Sequence, residues 1–267
     1  MVRFLKPAIK SLLKRCGYRL APYAPNGGPA LRLLPLLVKL RIAENNGCFF
    51  VQIGANDGIM DDPLYDLVRA HGLAGLLVEP MPDFFDRLQR NYADQPQLRF
   101  ENCAIGPTDG TRTLYRFAND TVADPRAAGH ASFFRRHLEK QERHLPGCAA
   151  HIEELEVKTM TLASLFQNHG IRTLGLLQID AEGFDFEIVK MLLETSVRPT
   201  IINYERINLS LADQELCRRM LAEAGYTFVD DGRDTIAARE EEFALSRSSC
   251  CLTKITRTSG SKVRPMT

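Results

Sequence analysis

A short apolar run that ends in a glycine-rich turn constrains the fold of this chain most strongly. Residues 48–53 read Cys-Phe-Phe-Val-Gln-Ile, and residues 54–58 read Gly-Ala-Asn-Asp-Gly. An apolar run bounded by glycine is typical of a buried parallel strand. Asp61-Asp62-Pro63 then predicts a helix start, because Asp is a favoured N-cap and Pro a favoured first helical residue. This order is typical of folds that bind a nucleotide-like ligand at the carboxyl end of a strand.

A second apolar strand, at 75–78, ends at Glu79, which lies 21 residues after Gly58. In dinucleotide-binding folds an acid about 20 residues beyond the glycines binds the ribose hydroxyls, so we predict this role for Glu79. The glycine spacing is Gly-x-x-x-Gly, which disfavours NAD and favours a nucleoside ligand without a pyrophosphate, such as S-adenosylmethionine (SAM). The alternative is an ordinary α/β turn whose glycines only relieve steric clashes.

The composition indicates one α/β domain with appendages. The chain has 267 residues, 45% hydrophobic and 25% charged, and a net charge of +1, which gives no electrostatic argument for a nucleic-acid partner. Seven cysteines without regular spacing argue against a disulfide framework and for a cytoplasmic protein. We expect neither a transmembrane segment nor a signal peptide.

The two ends of the chain differ in composition from its centre. Residues 1–41 contain nine Lys or Arg and no acid, and 1–20 has the pattern of a basic amphipathic helix. That helix either contacts an anionic membrane surface or packs on the domain with its lysines in water. We therefore predict an N-terminal extension and linker at 1–45, a catalytic domain at 46–245 and a flexible tail at 246–267.

The remaining pattern alternates strands and helices. Strands are predicted at 98–106, 111–117, 155–159, 174–179, 199–206, 226–230 and 234–239, the first two as partners across a turn and the last two as a hairpin. Helices are predicted at 82–92, 161–167, 184–194 and 211–224. Residues 118–152 break this rhythm, and such insertions usually cover the active site and select the substrate.

Acidic residues follow the central strand at 174–179. Asp180, Glu182 and Asp185 lie where the ligand of such a fold lies, and like charges there need a cation or a proton between them. The cationic groups of SAM, a proton from a substrate hydroxyl, or a divalent cation would serve. The alternative is that these acids stabilise the start of the following helix.

Four histidines in the insertion are each seven residues apart: His130, His137, His144 and His151. Seven residues of helix rise about 10.5 Å, so these side chains cannot share one ion with ligands about 2 Å away, and we predict no metal site. We expect a solvent-facing stripe in which one histidine, His137, faces the substrate.

The chain resembles the FkbM-type family of SAM-dependent methyltransferases over about residues 46–240. The matching residues are Ile53-Gly54-Ala55-Asn56-Asp57-Gly58, Val78-Glu79-Pro80 with Pro82 and Phe85, Asn91, Ile179-Asp180-Ala181-Glu182-Gly183, Tyr204-Glu205 and Gly225-Tyr226. The resemblance implies a class I methyltransferase fold, which is a Rossmann-like, seven-stranded and mostly parallel α/β sheet. Its last strand would be antiparallel and helices would cover both faces.

The resemblance also implies roles for individual residues. Gly54, Asn56 and Gly58 would line the methionine moiety of SAM, Glu79 would bind the ribose, Asn102 would lie by the adenine, and Asp180 would face the reacting centre. The family often has an acid where Gln52 stands. An amide cannot neutralise the SAM ammonium, so that role would pass to another group, and Asp57 is the nearest acid in the sequence.

The leading hypothesis is O-methylation of a hydroxyl on a sugar, glycan or related natural product. SAM would be the cofactor, and Asp180 the first candidate for the general base, before a histidine of the insertion. One alternative is a non-catalytic SAM-binding or scaffolding protein of a membrane-associated glycan assembly. The other is an NAD-dependent oxidoreductase. The sequence predicts neither the particular acceptor nor the oligomeric state.

Overall fold

A computed structural model describes residues 33–43, 48–118, 129–143 and 145–243. The predicted basic helix at 1–20, most of the predicted linker and the tail at 246–267 lie outside these ranges, as does His144. Within the described ranges, no helix is both long enough and apolar enough to cross a membrane.

Eleven strands and seven α-helices make up the described part of the chain. The strands are β1 (Phe50–Ile53), β2 (Gly75–Val78), β3 (Leu98–Glu101), β4 (Ala104–Ile105), β5 (Gly110–Phe117), β6 (Ala131–Ser132), β7 (Ile152–Met160), β8 (Leu176–Ile179), β9 (Ile201–Glu205), β10 (Thr227–Asp231) and β11 (Asp234–Ala238). The helices are α1 (Leu33–Ala43), α2 (Tyr65–His71), α3 (Pro82–Asn91), α4 (Arg135–Glu139), α5 (Leu162–Asn168), α6 (Asp185–Glu194) and α7 (Leu211–Glu223).

The larger sheet has seven strands in the order β10-β11-β9-β8-β1-β2-β3. Its strands run parallel except β11, which is antiparallel to both β9 and β10. All residues of β1, β2, β8 and β9 are buried, which explains their apolar sequences. The predicted seven-stranded, mostly parallel sheet with an antiparallel last strand is confirmed.

Helices cover both faces of this sheet. Val51 and Ile53 of β1 belong to one buried apolar cluster, together with residues of α5, α6 and α7. Phe50 of the same strand belongs to a second cluster, with residues of α1 and α2. Because successive side chains of a strand point to opposite faces, one strand joins both clusters.

A second, four-stranded sheet corrects the sequence analysis. Its order is β4-β7-β5-β6, and β5 pairs antiparallel with β7 over eight residue pairs. The prediction of one strand over 98–106 is wrong, because the chain leaves the larger sheet after Glu101 and residues 104–105 pair with β7. Asn102 marks the break: its Nδ2 donates to the carbonyls of Glu79 and Pro80, where β2 ends. The predicted pairing of 111–117 with the third strand is wrong for the same reason.

The start of α2 also differs from the prediction. The helix begins at Tyr65, and Asp62 does not cap it, since its Oδ1 accepts from the backbone N of Leu64 at 2.7 Å. Asp61 has a left-handed backbone with φ 53°. An irregular turn therefore precedes α2. Thr161, by contrast, caps α5, because its side chain accepts from the N–H of Ser164.

Gly54 provides a test of the packing between β1 and β8. A Cβ at Gly54, where φ is +77°, would lie 1.9 Å from the Asp180 carbonyl oxygen. We expect Gly54→Ala to lower the free energy of unfolding by about 2–5 kcal/mol, from backbone strain and overpacking together. Gly72→Ala is the control, because Gly72 has φ +60° but nothing within 4 Å of its added Cβ. Equal losses in urea unfolding of the two variants would show that the close approach at Gly54 is unimportant.

Candidate active site

A cavity of about 550 Å³ opens at the carboxyl ends of β1, β2, β8 and β9. Its volume lies in the range of about 300–1,000 Å³ that is usual for small-molecule sites. Residues 52–56 and 60–63 form one side and residues 180–182 another. Residues of β4, β5 and β6 also line it, so the smaller sheet contributes a wall. This is the edge of the larger sheet at which the sequence predicts ligand binding.

The first half of the glycine-rich turn lines the cavity. Gly54 and Asn56, for which the resemblance implies contact with SAM, are both lining residues. Asn56 has a left-handed backbone with φ 51°, and its N–H donates to Oε2 of Glu79 at 2.8 Å. Its side-chain amide donates to the carbonyl of Gly129 at 3.2 Å. Asn56 therefore connects the turn to both β2 and the insertion.

The second half of the turn lies behind this surface. Asp57 and Gly58 are not among the lining residues. Oδ1 of Asp57 accepts from the backbone N–H groups of Ile59 and Met60 at 2.9 and 2.8 Å. A Cβ at Gly58 would lie 2.5 Å from the Tyr92 ring. The structure thus gives both residues a role in shaping the turn, and it does not place them at the ligand surface.

Glu79 lies in the cavity wall with only 3% of its surface exposed. Its carboxylate accepts from the backbone N–H groups of Asn56, at 2.8 Å, and Met81, at 2.9 Å. Burial raises the pKa of Glu79 to about 7, although these two hydrogen bonds oppose the shift. A carboxylate held in this way keeps lone pairs for the hydroxyls of a ligand.

Asn102 does not line the cavity, in contrast to its predicted place beside the adenine. Its side-chain amide donates to two backbone carbonyls at the end of β2, as described above. The neighbouring Cys103, Ala104 and Ile105 line the cavity instead. This part of the wall is therefore apolar.

Asp180 opens onto the cavity at the end of β8. Its backbone N–H donates to the carbonyl of Ile53 at 2.9 Å, which fixes it beside the glycine-rich turn. The carboxylate is exposed to the cavity but surrounded by protein. This desolvation, and then the charges of Glu182 and Glu205, raise the pKa of Asp180 well above its usual value. A carboxylate with a raised pKa is a stronger base when it is ionised.

Glu182 occupies the neighbouring part of the wall in a left-handed backbone conformation, with φ 46°. The hydroxyl of Ser132 donates to its carbonyl at 2.8 Å, and Nδ2 of Asn208 donates to its Oε2 at 3.1 Å. Burial, followed by the charges of Glu205 and Asp185, raises the pKa of Glu182 to about 8. The pair formed by Asp180 and Glu182 therefore still binds a proton at a pH where isolated carboxyl groups are ionised.

The histidines of the insertion do not form the expected stripe. His130 lines the cavity, and its Nε2 lies 3.5 Å from Oε1 of Glu182. His137 is buried in α4, does not line the cavity, and has its Nε2 3.8 Å from Oε2 of Glu182. Burial lowers the pKa of His137 and keeps it neutral. His151 is exposed at the end of a 3₁₀ turn. In the described residues, no group of three or more His, Cys, Asp or Glu is arranged to hold a metal ion.

Asp185 stabilises the protein next to the cavity and is not part of its wall. Its side chain is fully buried and does not line the cavity. Oδ1 accepts from the N–H of Glu205 at 3.1 Å, and Oδ2 accepts from the N–H of Gly183 at 3.2 Å. Asp185 thus connects the turn after β8 to the end of β9.

The hairpin between β10 and β11 contributes residues that the sequence analysis did not single out. Arg233 and Asp234 line the cavity, and Arg233 donates to Oε1 of Glu205 through Nε at 2.9 Å and through its NH2 nitrogen at 2.6 Å. The signal was available: a hairpin that follows a parallel strand turns at the carboxyl edge of the sheet, where the ligand lies. Ser132 and Phe133 of the insertion had no comparable signal.

The α/β fold, with a cavity at the carboxyl edge of its parallel strands, is typical of proteins that bind nucleotide-like ligands. The sequence profile of the methyltransferase FkbM domain matches residues 52–228. The chain therefore belongs to the FkbM methyltransferase family, as its motifs predicted. SAM is the cofactor that this family assignment implies. The cavity fits this cofactor for three reasons. Gly54 has no side chain to block a ligand, Glu79 can accept hydrogen bonds from ribose hydroxyls, and the carboxylates of the cavity wall can attract the positively charged groups of SAM.

Several solved structures resemble this one in part, each with 12% sequence identity. A methyltransferase FkbM from Methylobacillus flagellatus aligns with a TM-score of 0.44 over 72% of this chain and 44% of its own. An RNA methyltransferase from Salinibacter ruber, in complex with S-adenosylhomocysteine, aligns with a TM-score of 0.33 over 81% and 91%. A methyltransferase from Geobacter sulfurreducens aligns with a TM-score of 0.39 over 90% and 91%. The present chain thus spans less than half of the Methylobacillus protein. No curated protein sequence matches it significantly.

The raised pKa of Glu182 predicts how stability depends on pH. Between the usual value of 4.5 and about 8, the folded chain holds a proton that the unfolded chain has released. The free energy of unfolding should therefore fall as pH rises through this window, by up to about 1.4 kcal/mol per pH unit for each such proton. We expect urea unfolding of Glu182→Gln at pH 6 and pH 8 to show a smaller difference than the wild type.

The control for this experiment is Glu154→Gln, which alters an exposed carboxylate on β7. It should retain the wild-type difference between pH 6 and pH 8. If Glu182→Gln also retains that difference, Glu182 does not hold its proton in the folded chain.

Proposed function

We propose that this protein transfers the methyl group of SAM to a hydroxyl oxygen of a sugar, glycan or related natural product. The observation that supports this most directly is the pair Asp180 and Glu182, two carboxyl groups of raised pKa that face the cavity. A hydroxyl must lose its proton as its oxygen forms the new bond, so it needs a base. An amine with a free lone pair has no such need at the bond-forming step.

Asp180 is the proposed base. It lies at the end of β8, beside the turn that carries Gly54, so it borders both the predicted cofactor position and the open part of the cavity. When bound, SAM supplies a methyl group that its sulfonium activates. The chain must then hold the acceptor oxygen in line with that group and take up its proton through the Asp180 carboxylate.

Glu182 and the two histidines support this base. Repulsion between neighbouring carboxylates favours the state in which the pair holds one proton, so one member is ionised and ready to accept another. His130 borders the cavity next to Glu182 and is the proposed route by which the proton leaves. His137 contacts Glu182 from the buried side, and we assign it a positioning role.

The charge of the cavity supports an acceptor without negative charge. Seven carboxylate side chains line it: Asp61, Asp62, Glu79, Asp180, Glu182, Glu205 and Asp234. Arg233 is the one Lys or Arg among the lining residues that the structure describes, and it is paired with Glu205. A phosphate or nucleic-acid backbone would be repelled from such a cavity, whereas a neutral, hydroxyl-rich acceptor would find many hydrogen-bond acceptors.

Membrane contact remains a prediction from the sequence. The basic segment 1–20 that would make the contact lies outside the described residues. A glycan acceptor carried on a membrane lipid would make such contact useful, and this is the reason to retain the prediction.

Asp180→Asn tests the proposed base. The substitution preserves shape but removes the basic oxygen, so we expect kcat to fall by about 100-fold or more while S-adenosylhomocysteine still binds. Calorimetric titration measures that binding, and mass spectrometry with NMR identifies the methylated atom in a screen of sugar and glycolipid acceptors. Asp86→Asn, an exposed change on α3, is the matched control and should behave as the wild type.

Two outcomes would contradict the proposal. Full activity of Asp180→Asn would remove Asp180 from the role of base. Turnover on amines with none on hydroxyls would overturn O-methylation while leaving the family assignment intact.

A further inference from the structure

Gln52 carries a buried polar atom without a partner. Its side chain is 3% exposed and lines the cavity at the end of β1. Oε1 is fully buried and makes no hydrogen bond to any described residue. A buried acceptor without a donor is costly and is rarely left unsatisfied in a native protein. Because this one faces a ligand cavity, the missing donor is expected to belong to the ligand.

Asp62 lies beside Gln52 in the same wall. Its Oδ1 accepts from the N–H of Leu64, whereas Oδ2 is buried and has no hydrogen-bond partner among the described residues. The pKa of Asp62 is raised to about 6 by burial, and hydrogen bonding from the backbone of Leu64 and the side chain of Gln52 opposes the shift. Asp57, a nearby acid, adds to the upward shift of this pKa.

Tyr92 is a further polar side chain near this carboxylate. Its pKa is raised by burial and then by Asp62, and its hydroxyl has no hydrogen-bond partner among the described residues. A phenol can share a proton with Asp62, but it cannot neutralise a carboxylate. The site formed by Gln52 and Asp62 thus offers one negative charge and an unpaired amide oxygen to a ligand.

We propose that Asp62 and Gln52 together bind the α-ammonium group of the cofactor. The carboxylate supplies the opposite charge, and the amide oxygen accepts one of the three ammonium N–H groups. This inference rests on SAM being the cofactor. It differs from the sequence hypothesis, which named Asp57, because Asp57 uses its Oδ1 within the turn and does not line the cavity.

The arrangement is an exchange of roles between two positions. In the pattern implied by the family resemblance, an acid at position 52 neutralises the ammonium. Here an amide stands at 52, and the acid is supplied from residue 62, on the irregular turn before α2. The left-handed backbone of Asp61, with φ 53°, is part of that turn.

The test compares two ligands that differ only in the ammonium group. Calorimetric titration measures binding of S-adenosylhomocysteine and of its deamino analogue, in which hydrogen replaces the α-ammonium. We expect the wild type to prefer S-adenosylhomocysteine by about tenfold or more, since truncating a buried charge pair has effects of at least this size. Asp62→Asn should lose that preference, and Asp57→Asn should keep it.

Two further variants keep the test informative if Asp62→Asn does not fold. Asp62→Asn with Gln52→Glu places the acid at position 52 and should restore the preference for the ammonium. Gln52→Met removes the amide oxygen without touching Asp62, and it should reduce the preference even if Asp62→Asn does not fold. Thermal unfolding monitored by circular dichroism establishes which variants are folded.

The outcomes separate the proposal from the cofactor assignment. Loss of affinity for both ligands by the same factor in Asp62→Asn, or loss of the preference in Asp57→Asn alone, would overturn the role of Asp62. If the folded wild type bound neither ligand, the cofactor assignment itself would fail, and this inference with it.

Discussion

The close contact between two neighbouring strand ends determines the rest of the site. A Cβ on Gly54 could not fit beside the carbonyl of Asp180, so the turns after β1 and β8 meet at van der Waals distance. That contact places the cofactor turn and the proposed base in one cavity wall. It also places several carboxylates in a poorly solvated region, which is why their pKa values are raised. Backbone sterics and side-chain protonation are therefore linked here.

The sequence predicted the elements whose signal is local. Runs such as residues 48–58, 75–79 and 174–185 identify a strand together with its turn or its acids. The residues that they predicted for the site include Gly54, Asn56, Glu79 and Asp180, and these four line the cavity. Prediction from the sequence failed where position depends on distant partners. The pairing of β5 with β7 joins residues far apart in the chain, and Asn102 turns toward the end of β2 instead of toward the ligand. Neither the strand pairing nor the orientation of Asn102 can be inferred from the local sequence pattern.

Side-chain chemistry was predicted less well than backbone position for a related reason. Asp57 and Asp62 are both acids near the glycine-rich turn, and the sequence alone favours the nearer one. Which carboxylate reaches the cavity depends on which one the backbone N–H groups of the turn engage, and this is decided by φ and ψ angles over three or four residues. The same applies to His130 and His137, whose exposure depends on how α4 packs.

Among the described residues, hydrogen bonds from Asn56 and Ser132 connect the insertion to the rest of the cavity wall. Asn56 donates to Gly129 from the cofactor turn, and Ser132 donates to Glu182 beside the base. An acceptor that moves residues 129–132 must therefore change the cofactor turn as well, and by thermodynamic reciprocity a bound cofactor changes the affinity for the acceptor. For protein engineering, the insertion is not an interchangeable module. A graft that alters acceptor choice has to keep these two anchoring contacts, or cofactor affinity will change together with substrate range.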